Sequence, residues 1–469
     1  MPTTARSGRL LTMLFALLLV TPGCGGGGGG GGNGPVPTPT SSPAGSPTPA
    51  PTPAPTPTPA PTATVLPNSF TIVSGLTPGA QPAVGWGDGR YLVTFSATTD
   101  RPENDILGLR LAASGAAIDP APLLLSDLGN EPFIDPADAS YGSSSIGFDG
   151  TSFGVFFYGY GTGGTTGPPS EMVGFTALAP SGAPLVPATE VATQTTFSMA
   201  QTSIQSPVVA AAADARFTGI YQLNFSLIGS FSLNQVVGNF VTVSGSTVAV
   251  ESTGVLGGAV APPVGGFFGD STAPGVASND TTTLAAWVEI NAPENMPQNI
   301  TTSLRAAVIA PGEVRRVRLA DATAGSQVVA IASDGESFLV VWTAAPTDNP
   351  SVLTEIRAIR VFPGGGPGGS DVIEPKNGFR IAAGTLPKWL AGVAFGGGTY
   401  VVAWLEGDQV LGARVPEDDT TPTPFRIDDG PASAAAITSD GERFLVVFER
   451  SDVDGGPSDL VGAFVDAVP

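Results

Sequence analysis

The chain from Phe70 onward repeats one arrangement of apolar and polar positions. An apolar run is followed by a short turn, commonly Asp-Gly, and then by a second run in which aromatic and aliphatic residues alternate. Asp-Gly between two such runs is typical of a β-hairpin, because both residues tolerate the positive φ angles that tight turns need. The clearest copies are AVGWGDGRYLVTF (83–95), SIGFDGTSFGVFF (145–157), VAIASDGESFLVVW (329–342), AGVAFGGGTYVVAW (391–404) and AAAITSDGERFLVVF (434–448).

Two weaker copies, ending at Tyr221 and Trp287, bring the number of repeats to seven. Each hairpin is followed by a third strand-like run, such as DILGLRLAASG from Asp105, and a fourth short run, such as FRIDDG from Phe425. The fourth run of the second repeat is faint, near Glu190. Four local strands in each repeat favour a radial array over immunoglobulin-like sandwiches, which need Greek-key crossovers. We therefore predict an all-β chain that forms a seven-bladed β-propeller of four-stranded antiparallel blades.

The two ends of the repeat region complement each other. The seventh repeat stops after its third strand, and the orphan run SFTIVSG (69–75) before the first repeat is similar to the fourth strands FRIAAG and FRIDDG. We expect this N-terminal strand to complete the last blade, which closes the ring without an open seam. The domain then covers residues 69–469, and we expect it to be a monomer.

Charge and missing residue types limit the chemistry. Arg6 and Arg9 are the only charged side chains before Phe70, which leaves 17 basic against 40 acidic residues beyond it. So acidic a surface repels phosphate backbones, and nucleic acid is not expected as a partner. The chain has no His and one Cys, which excludes His-dependent triads, His-ligated zinc, thiolate clusters and internal disulfides.

The first residues have the order of an export signal. Two arginines precede the apolar run 10–20, and Thr21-Pro22-Gly23 separates that run from Cys24. Eleven residues make roughly 16 Å of helix, which is too short to span a membrane. We assign residues 1–23 to a signal peptide. Residues 24–68 form a glycine-rich and then Pro/Thr-rich tether without apolar surface to bury, and we expect this linker to be disordered.

Thr21-Pro22-Gly23-Cys24 resembles the lipobox of bacterial lipoproteins, although Leu is usual where Thr21 stands and Pro is seldom found where Pro22 stands. The resemblance implies that Cys24 becomes the acylated first residue of the mature chain. The protein would then lie in the bacterial cell envelope, at the outer membrane or cell surface. An ordinary secretory cleavage with an incidental cysteine is the alternative, and a linker whose length matters little is the alternative to a stalk.

The repeats are similar to those of bacterial extracellular propeller proteins, and they lack the Gly-His and Trp-Asp dipeptides of WD repeats. Function is expected on the face that carries the second-to-third strand connections, because these vary most in length. The long connections are 98–104, 159–170 and 289–300, whereas the connection at 406–408 is almost absent.

No catalytic, metal-binding or cofactor-binding residue stands out, and the Asp-Gly pairs at Asp88, Asp149, Asp334 and Asp440 are interpreted as turn residues. Acidic loops could hold Ca²⁺, but none has the spacing of an EF-hand, and a solvated acidic surface is favoured. The acidic loop residues are Asp100, Glu103, Asp105, Glu289, Glu294, Asp348, Glu449, Asp452 and Asp454.

Two functions compete for the repeat domain. The favoured one is a non-catalytic binding or scaffolding module for an unidentified protein or glycan, because His and Cys chemistry is excluded and only Lys376 and Lys388 could serve as lysine bases. The rival is a carboxylate-dependent carbohydrate-active enzyme, since glycoside hydrolysis needs only two acids. Trp287, Trp342 and Trp404 occupy one repeat position, so we expect them to pack in the core rather than to bind sugar.

Acylation of Cys24 gives the first testable prediction. Cells that express the protein and are labelled with a fatty-acid probe should yield labelled protein, and Cys24→Ala should abolish the label because the acyl chains attach to that residue. Label that persists in Cys24→Ala would refute the assignment.

Overall fold

The computed structural model describes residues 69–467 with short gaps, and residues 1–68 lie outside it. The predicted signal peptide, Cys24 and the predicted tether therefore fall outside the described residues. Within the described ranges, no helix is long and apolar enough to cross a membrane. The gaps are 99–103, 127–138, 162–169, 196–199, 213–215, 228–230, 258–266, 272–273, 280, 294–300, 323–325, 347–351, 367–369, 418–419 and 452–455.

The first three blades are antiparallel meanders of four strands. Blade 1 contains β2 (Ala83–Gly87), β3 (Arg90–Thr98), β4 (Asn104–Ala112) and β5 (Leu123–Leu124). Blade 2 contains β6 (Ala139–Phe148), β7 (Phe153–Gly161), β8 (Ser170–Leu178) and β9 (Pro184–Thr195). Blade 3 contains β10 (Ala200–Ala212), β11 (Arg216–Leu227), β12 (Phe231–Ser244) and β13 (Thr247–Gly257).

Blades 4 to 6 keep the meander, with one variation in blade 4. Its inner strand is divided into β14 (Phe267–Ser271) and β15 (Gly275–Ser278), which both pair with β16 (Thr283–Pro293) before β17 (Thr301–Ala310) and β18 (Glu313–Ala322). Blade 5 contains β19 (Gln327–Ser333), β20 (Phe338–Ala344), β21 (Glu355–Phe362) and β22 (Val372–Ala383). Blade 6 contains β23 (Lys388–Gly396), β24 (Thr399–Glu406), β25 (Gln409–Pro416) and β26 (Thr423–Asp428).

Blade 7 joins the two ends of the domain. It contains β27 (Ala432–Ser439), β28 (Arg443–Arg450), β29 (Ser458–Asp466) and, as its fourth strand, β1 (Ser69–Leu76). The first strands of the blades contact one another in order around the ring, and β27 contacts β2. The predicted all-β, seven-bladed propeller closed by the N-terminal strand is thus confirmed, with β1 one residue longer than SFTIVSG.

The hydrophobic core is divided among the junctions between blades. Seven buried clusters occur in the described residues, one at each junction, including the junction of blade 7 with blade 1. Second strands such as β20 are buried along their whole length, because both of their faces lie against neighbouring blades. Each blade therefore depends on its two neighbours for most of its apolar burial.

The predicted turn role of the Asp-Gly pairs is confirmed, although the turns are of two kinds. Asp88 and Gly89 both have positive φ, at 48° and 73°, as a two-residue hairpin requires. The loops of Asp149, Asp334 and Asp440 are longer, and each aspartate instead accepts hydrogen bonds from backbone N–H groups two and three residues ahead.

Two of these turn aspartates also bind a tyrosine of the following blade. The Tyr400 hydroxyl of blade 6 donates to Asp334 of blade 5, and the Tyr91 hydroxyl of blade 1 donates to Asp440 of blade 7, both at 2.7 Å. Burial alone would raise the pKa of each carboxyl, but the hydrogen bonds outweigh it and hold both pKa values below the usual range. One of these bonds spans the closing junction.

Ring closure also depends on one aromatic contact. Phe70 of β1 pairs across the ladder with Gly462 and lies 5.5 Å from the Phe464 ring, centroid to centroid. A Cβ atom on Gly462 would come within 2.6 Å of the Phe70 ring, so only glycine leaves room for the ring there. Phe70 therefore fastens the first strand to the last.

The second prediction follows from this contact. Phe70→Ala should lower the free energy of unfolding by about 2 kcal/mol, because the partly buried ring leaves a gap over Gly462. Thr71→Ala, on the exposed side of the same strand, is the matched control and should change it by no more than about 0.5 kcal/mol. Denaturant unfolding followed by tryptophan fluorescence measures both variants, and equal stabilities would contradict the role of Phe70.

Candidate functional site

Within the described residues, the face on which function is expected is open at blade 6. Most of the long second-to-third connections fall outside the described residues, but the connection of blade 6 is described and is only the turn Gly407–Asp408. So short a turn does not cover the ends of β23 and β27 beside it. The Asp408 carbonyl holds the start of β27 by accepting a hydrogen bond from the Ala432 N–H at 2.8 Å.

A cavity of about 420 Å³ lies at this place, between the inner strands of blades 6 and 7. We call it the blade 6–7 groove. Small side chains from β27 form one wall and larger apolar side chains from β23 and β24 form the other. Its lining residues are Trp389, Leu390, Ala391, Leu405, Gly407, Ala432, Ser433, Ala434 and Ala435.

Trp389 is the most exposed large side chain that lines the blade 6–7 groove. Its side chain is about half exposed, at 51%, whereas the other large apolar residues of β23 are covered. A register shift between Leu390 and Gly392 changes the alternation of the strand. Leu390 consequently packs into the junction with blade 5, and Trp389 is left beside blade 7. Leu386, 52% exposed, lies over the Gly407 turn, and Gly407 also lines the groove.

Sequence reasoning did not identify Trp389. The repeat was traced from Ala391 onward, and Trp389 lies two residues before that point. The sequence signal that could have identified Trp389 is a departure from the repeat. At the equivalent position of the first strand in blade 7, opposite the second strand, the residue is Ala434. A large aromatic side chain at a position that another blade fills with alanine does not serve the shared scaffold.

Lys388, one of the two lysines that could serve as a base, forms an ion pair. Its side chain is fully buried, and the ammonium lies 2.8 Å from a Glu406 carboxylate oxygen. The other Glu406 oxygen accepts a hydrogen bond from the Trp404 indole at 3.4 Å. Lys376, the other lysine that could serve as a base, lies on β22 of blade 5 and lines a separate cavity with Glu374 and Glu417.

Glu449 is a buried acid on this face that accepts several hydrogen bonds. It is 1% exposed, and its oxygens accept hydrogen bonds of 2.7 Å from the Gly79 N–H and from the Ser433 and Ser458 hydroxyls. Burial would raise its pKa, but these bonds together with one from the Ala80 backbone outweigh that effect and lower the pKa. Glu449 thus ties the segment between β1 and β2 to blade 7 and stays ionised.

The other two predicted loop acids that the structure describes each have a partner in their own blade. Asp105 is buried and accepts a hydrogen bond from the Ser126 hydroxyl at 3.1 Å, and Glu289 lies 3.5 Å from the Arg305 guanidinium. Asp100, Glu103, Glu294, Asp348, Asp452 and Asp454 fall outside the described residues. Among the residues that the structure does describe, no three acidic or thiol side chains are gathered as a metal site would need.

The three tryptophans that share a repeat position are buried, as predicted. Trp287 and Trp342 are 1% exposed and Trp404 is 2% exposed. Each lies at a junction between blades, where its ring fills volume. None of the three therefore offers a platform for a ligand.

The pKa of Glu171, at the start of β8 in blade 2, is shifted in the opposite direction to that of Glu449. Burial raises its pKa, and hydrogen bonds from the Ile204 N–H and the Tyr158 hydroxyl lower it by less. A carboxyl group with a raised pKa is the kind that can act as a general acid. Its described hydrogen-bond donors are a backbone amide and a tyrosine, and these anchor it to its own blade and the next.

No protein-family model and no curated protein match the chain. Solved structures match most of it. An α-L-arabinanase from Penicillium chrysogenum is 12% identical, with a TM-score of 0.44 over 86% of this chain and 99% of its own. A polysaccharide lyase is 9% identical (TM-score 0.48; 86% and 100%), as is an α-L-arabinofuranosidase from Fusarium graminearum (TM-score 0.41; 85% and 98%). At these identities the likeness concerns the fold and says nothing about activity.

Glu449 generates the third prediction. Because its pKa is lower in the folded protein than its usual 4.5, its bonds stabilise the protein above about pH 4.5, and this stabilisation is lost as the pH falls through the folded value. Glu449→Gln should lower the free energy of unfolding by about 2 to 4 kcal/mol near pH 7 and by clearly less near pH 3.

The matched control is Glu336→Gln, which removes an exposed carboxylate in the turn of blade 5 and should leave stability unchanged at both pH values. Denaturant titrations at the two pH values measure all three proteins. A Glu449→Gln deficit that is equally large near pH 3 would show that the charge of Glu449 is not what stabilises the junction.

Proposed function

We propose that this chain is a lipid-anchored propeller of the bacterial cell envelope that binds a protein or glycan ligand and does not catalyse a reaction. The half-exposed indole of Trp389 beside the blade 6–7 groove is the observation that carries the proposal. Ligand sites are typically concave, lined by apolar and aromatic groups, and edged by a few fixed polar groups. The groove has these properties.

The shape of the groove suits a flat or extended ligand. One face of an indole can stack on the C–H face of a sugar ring or on an aliphatic or proline side chain, and its polar N–H can bond at the edge. The opposite wall of Ala434 and Ala435 is smooth and leaves room for a ligand to lie along β27. Ser433 lies at the rim, although its hydroxyl is donated to Glu449.

The charged groups around the groove support binding rather than chemistry. Lys388 and Glu406 neutralise each other, and the Arg450 guanidinium pairs with Asp428. Glu449 is already bonded by three donors and held in its ionised form, so it is ill suited to give up a proton as a general acid. These groups fix the walls of the groove in place.

Delivery to the envelope rests on the sequence alone. In this proposal the chain is cut before Cys24, Cys24 is acylated, and residues 25–68 hold the propeller away from the membrane. Two or three acyl chains, at about 0.8 kcal/mol for each buried CH₂, would anchor it stably. The proline tract could extend roughly 3.1 Å for each residue, so the propeller would stand well clear of the lipid surface.

A carboxylate-dependent carbohydrate-active enzyme is the second candidate, and Glu171 is the observation that favours it. Its raised pKa is what a general acid of a glycosidase requires. That mechanism also needs a second carboxyl group about 5 to 9.5 Å away. The groups that bond Glu171 in the described residues, Tyr158 and Ile204, do not supply one.

The fourth prediction tests the groove. A glycan array and a peptide array, probed with the purified propeller, identify a ligand whose affinity is then measured by calorimetry. Trp389→Ala should weaken binding at least about tenfold, because the stacking surface is removed. Tyr160→Ala, which removes an exposed aromatic side chain from blade 2, is the matched control and should leave the affinity unchanged.

A turnover assay on the same ligands separates the two functions. Saturable binding without product formation supports the binding module. Hydrolysis that is lost in Glu171→Gln while the protein remains folded would overturn the non-catalytic proposal in favour of the carboxylate enzyme. Equal affinity of Trp389→Ala and the unmodified protein would show that the groove is not the site.

A further inference from the structure

The fourth strand of each blade is an edge strand of its sheet, and most of these edges are unsuited to pairing with another chain. Edge strands that are short, bulged, proline-containing or positively charged resist such pairing. In blade 1, β5 is only two residues long. In blade 7, β1 keeps a regular register only over Ser69–Thr71, after which two shifts follow. In blade 6, β26 has six residues and contains Pro424 and Arg426.

The outer strands of blades 2, 4 and 5 also have features that resist pairing with another chain. Pro184 and Pro187 lie in β9, which also has three register shifts. Pro375 and Lys376 lie in β22. Three arginines lie in β18, at positions 315, 316 and 318.

The outer strand of blade 3 has none of these features along its first half. From Thr247 to Ser252, β13 pairs with β12 in an unbroken register. This stretch contains no proline, no lysine and no arginine, and Glu251 is its only charged residue. Five of its six residues are β-branched or small, Val248 is half-buried, and Val250 is 42% exposed. It is an open edge suited to accept another strand.

The hairpin fixes which backbone groups are available. β12 and β13 are joined by two residues, and Ser244 pairs with Thr247. In a two-residue hairpin this flanking pair exchanges hydrogen bonds, and such pairs alternate along the ladder. The N–H and C=O groups of Thr247, Ala249 and Glu251 therefore face β12, and those of Val248, Val250 and Ser252 face outward.

The second half of β13 is occupied by contacts within the protein. The Arg316 guanidinium of blade 4 donates to the Val255 carbonyl at 2.6 Å. The Thr253 hydroxyl bonds back to the Gly238 carbonyl at 2.9 Å, where the register shifts. Within the residues that the structure describes, the protein thus covers its own edge at 253–257 and leaves 247–252 uncovered.

We propose that the Thr247–Ser252 edge of β13 binds an extended, basic segment of a partner protein by β-strand addition. Backbone hydrogen bonds would supply affinity, and alternate side chains of the added strand would give specificity. A basic partner is favoured because the chain from Phe70 onward carries 40 acidic against 17 basic residues, and Glu251 is exposed on this strand. A second copy of the chain would bring the same excess of negative charge to the edge.

Proline substitution provides a selective test, because Val250→Pro removes an outward N–H without removing a ladder bond to β12. The probe is a fluorescein-labelled peptide of nine residues, of which three are lysine and the others alternate between valine and threonine. Its binding is measured by fluorescence anisotropy. We expect saturable binding that Val250→Pro weakens at least about tenfold. A second probe is the same peptide with alternate backbone nitrogens methylated. Its affinity for the unmodified protein should be as low as the affinity of the unmethylated peptide for Val250→Pro.

Val314→Pro is the matched control. Val314 is a 45% exposed valine that follows a two-residue hairpin on β18, so its N–H also faces outward. This variant should bind the probe as the unmodified protein does, and thermal unfolding of both proline variants establishes that they are folded. Trp389→Ala should also retain binding, which separates a failure here from a failure of the groove proposal.

Three results would overturn the proposal. The first is absence of probe binding up to about 1 mM. The second is binding that Val250→Pro leaves unchanged, which would assign it to nonspecific attraction by the acidic surface. The third is concentration-dependent dimerisation in sedimentation velocity that Val250→Pro abolishes, which would make a second copy the occupant of the edge.

Discussion

The pairing of β1 with β29 is the constraint on which the rest of the structure depends. A row of blades has two end faces, and each end face would leave its apolar side chains in water. Because β1 completes blade 7, the row becomes a ring. The hydrophobic cluster between blades 7 and 1 is then buried between two blades, as the other six are. The Phe70–Phe464 stack, the Glu449 bonds and the Tyr91–Asp440 bond all serve that single junction.

This dependence explains why polar bonds concentrate where they do. The sheets themselves satisfy most backbone groups, so side-chain hydrogen bonds are left for turns and junctions. Asp334 and Asp440 serve both, because each bonds its own turn and a tyrosine of the next blade. Where the following blade has phenylalanine at that position, as with Phe217 after Asp149, the hydrogen bonds described for the aspartate all come from its own turn.

Much of the fold could be predicted because it is repeated. The repeated runs that end at Trp287, Trp342 and Trp404 identified the second strands and the core position of these tryptophans, and the likeness of SFTIVSG to other fourth strands identified ring closure. The divided inner strand of blade 4 and the length of β9 were not predicted, because the pairing partner decides them and no local pattern does. Trp389 was missed for a specific reason. The bulge before Gly392 changes the side on which Trp389 lies, and a regular count of alternate positions cannot detect it.

The antiparallel ladder between β1 and β29 also has a mechanical consequence. The chain before Ser69 leads directly into β1, so any tension along that chain acts on Ser69, which pairs with Ala463. The ladder from Ser69 to Leu76 and the Phe70 ring seated over Gly462 would have to give way before such tension reached the other strands of blade 7. A propeller held by its first strand is gripped at the one place where release would also open the ring.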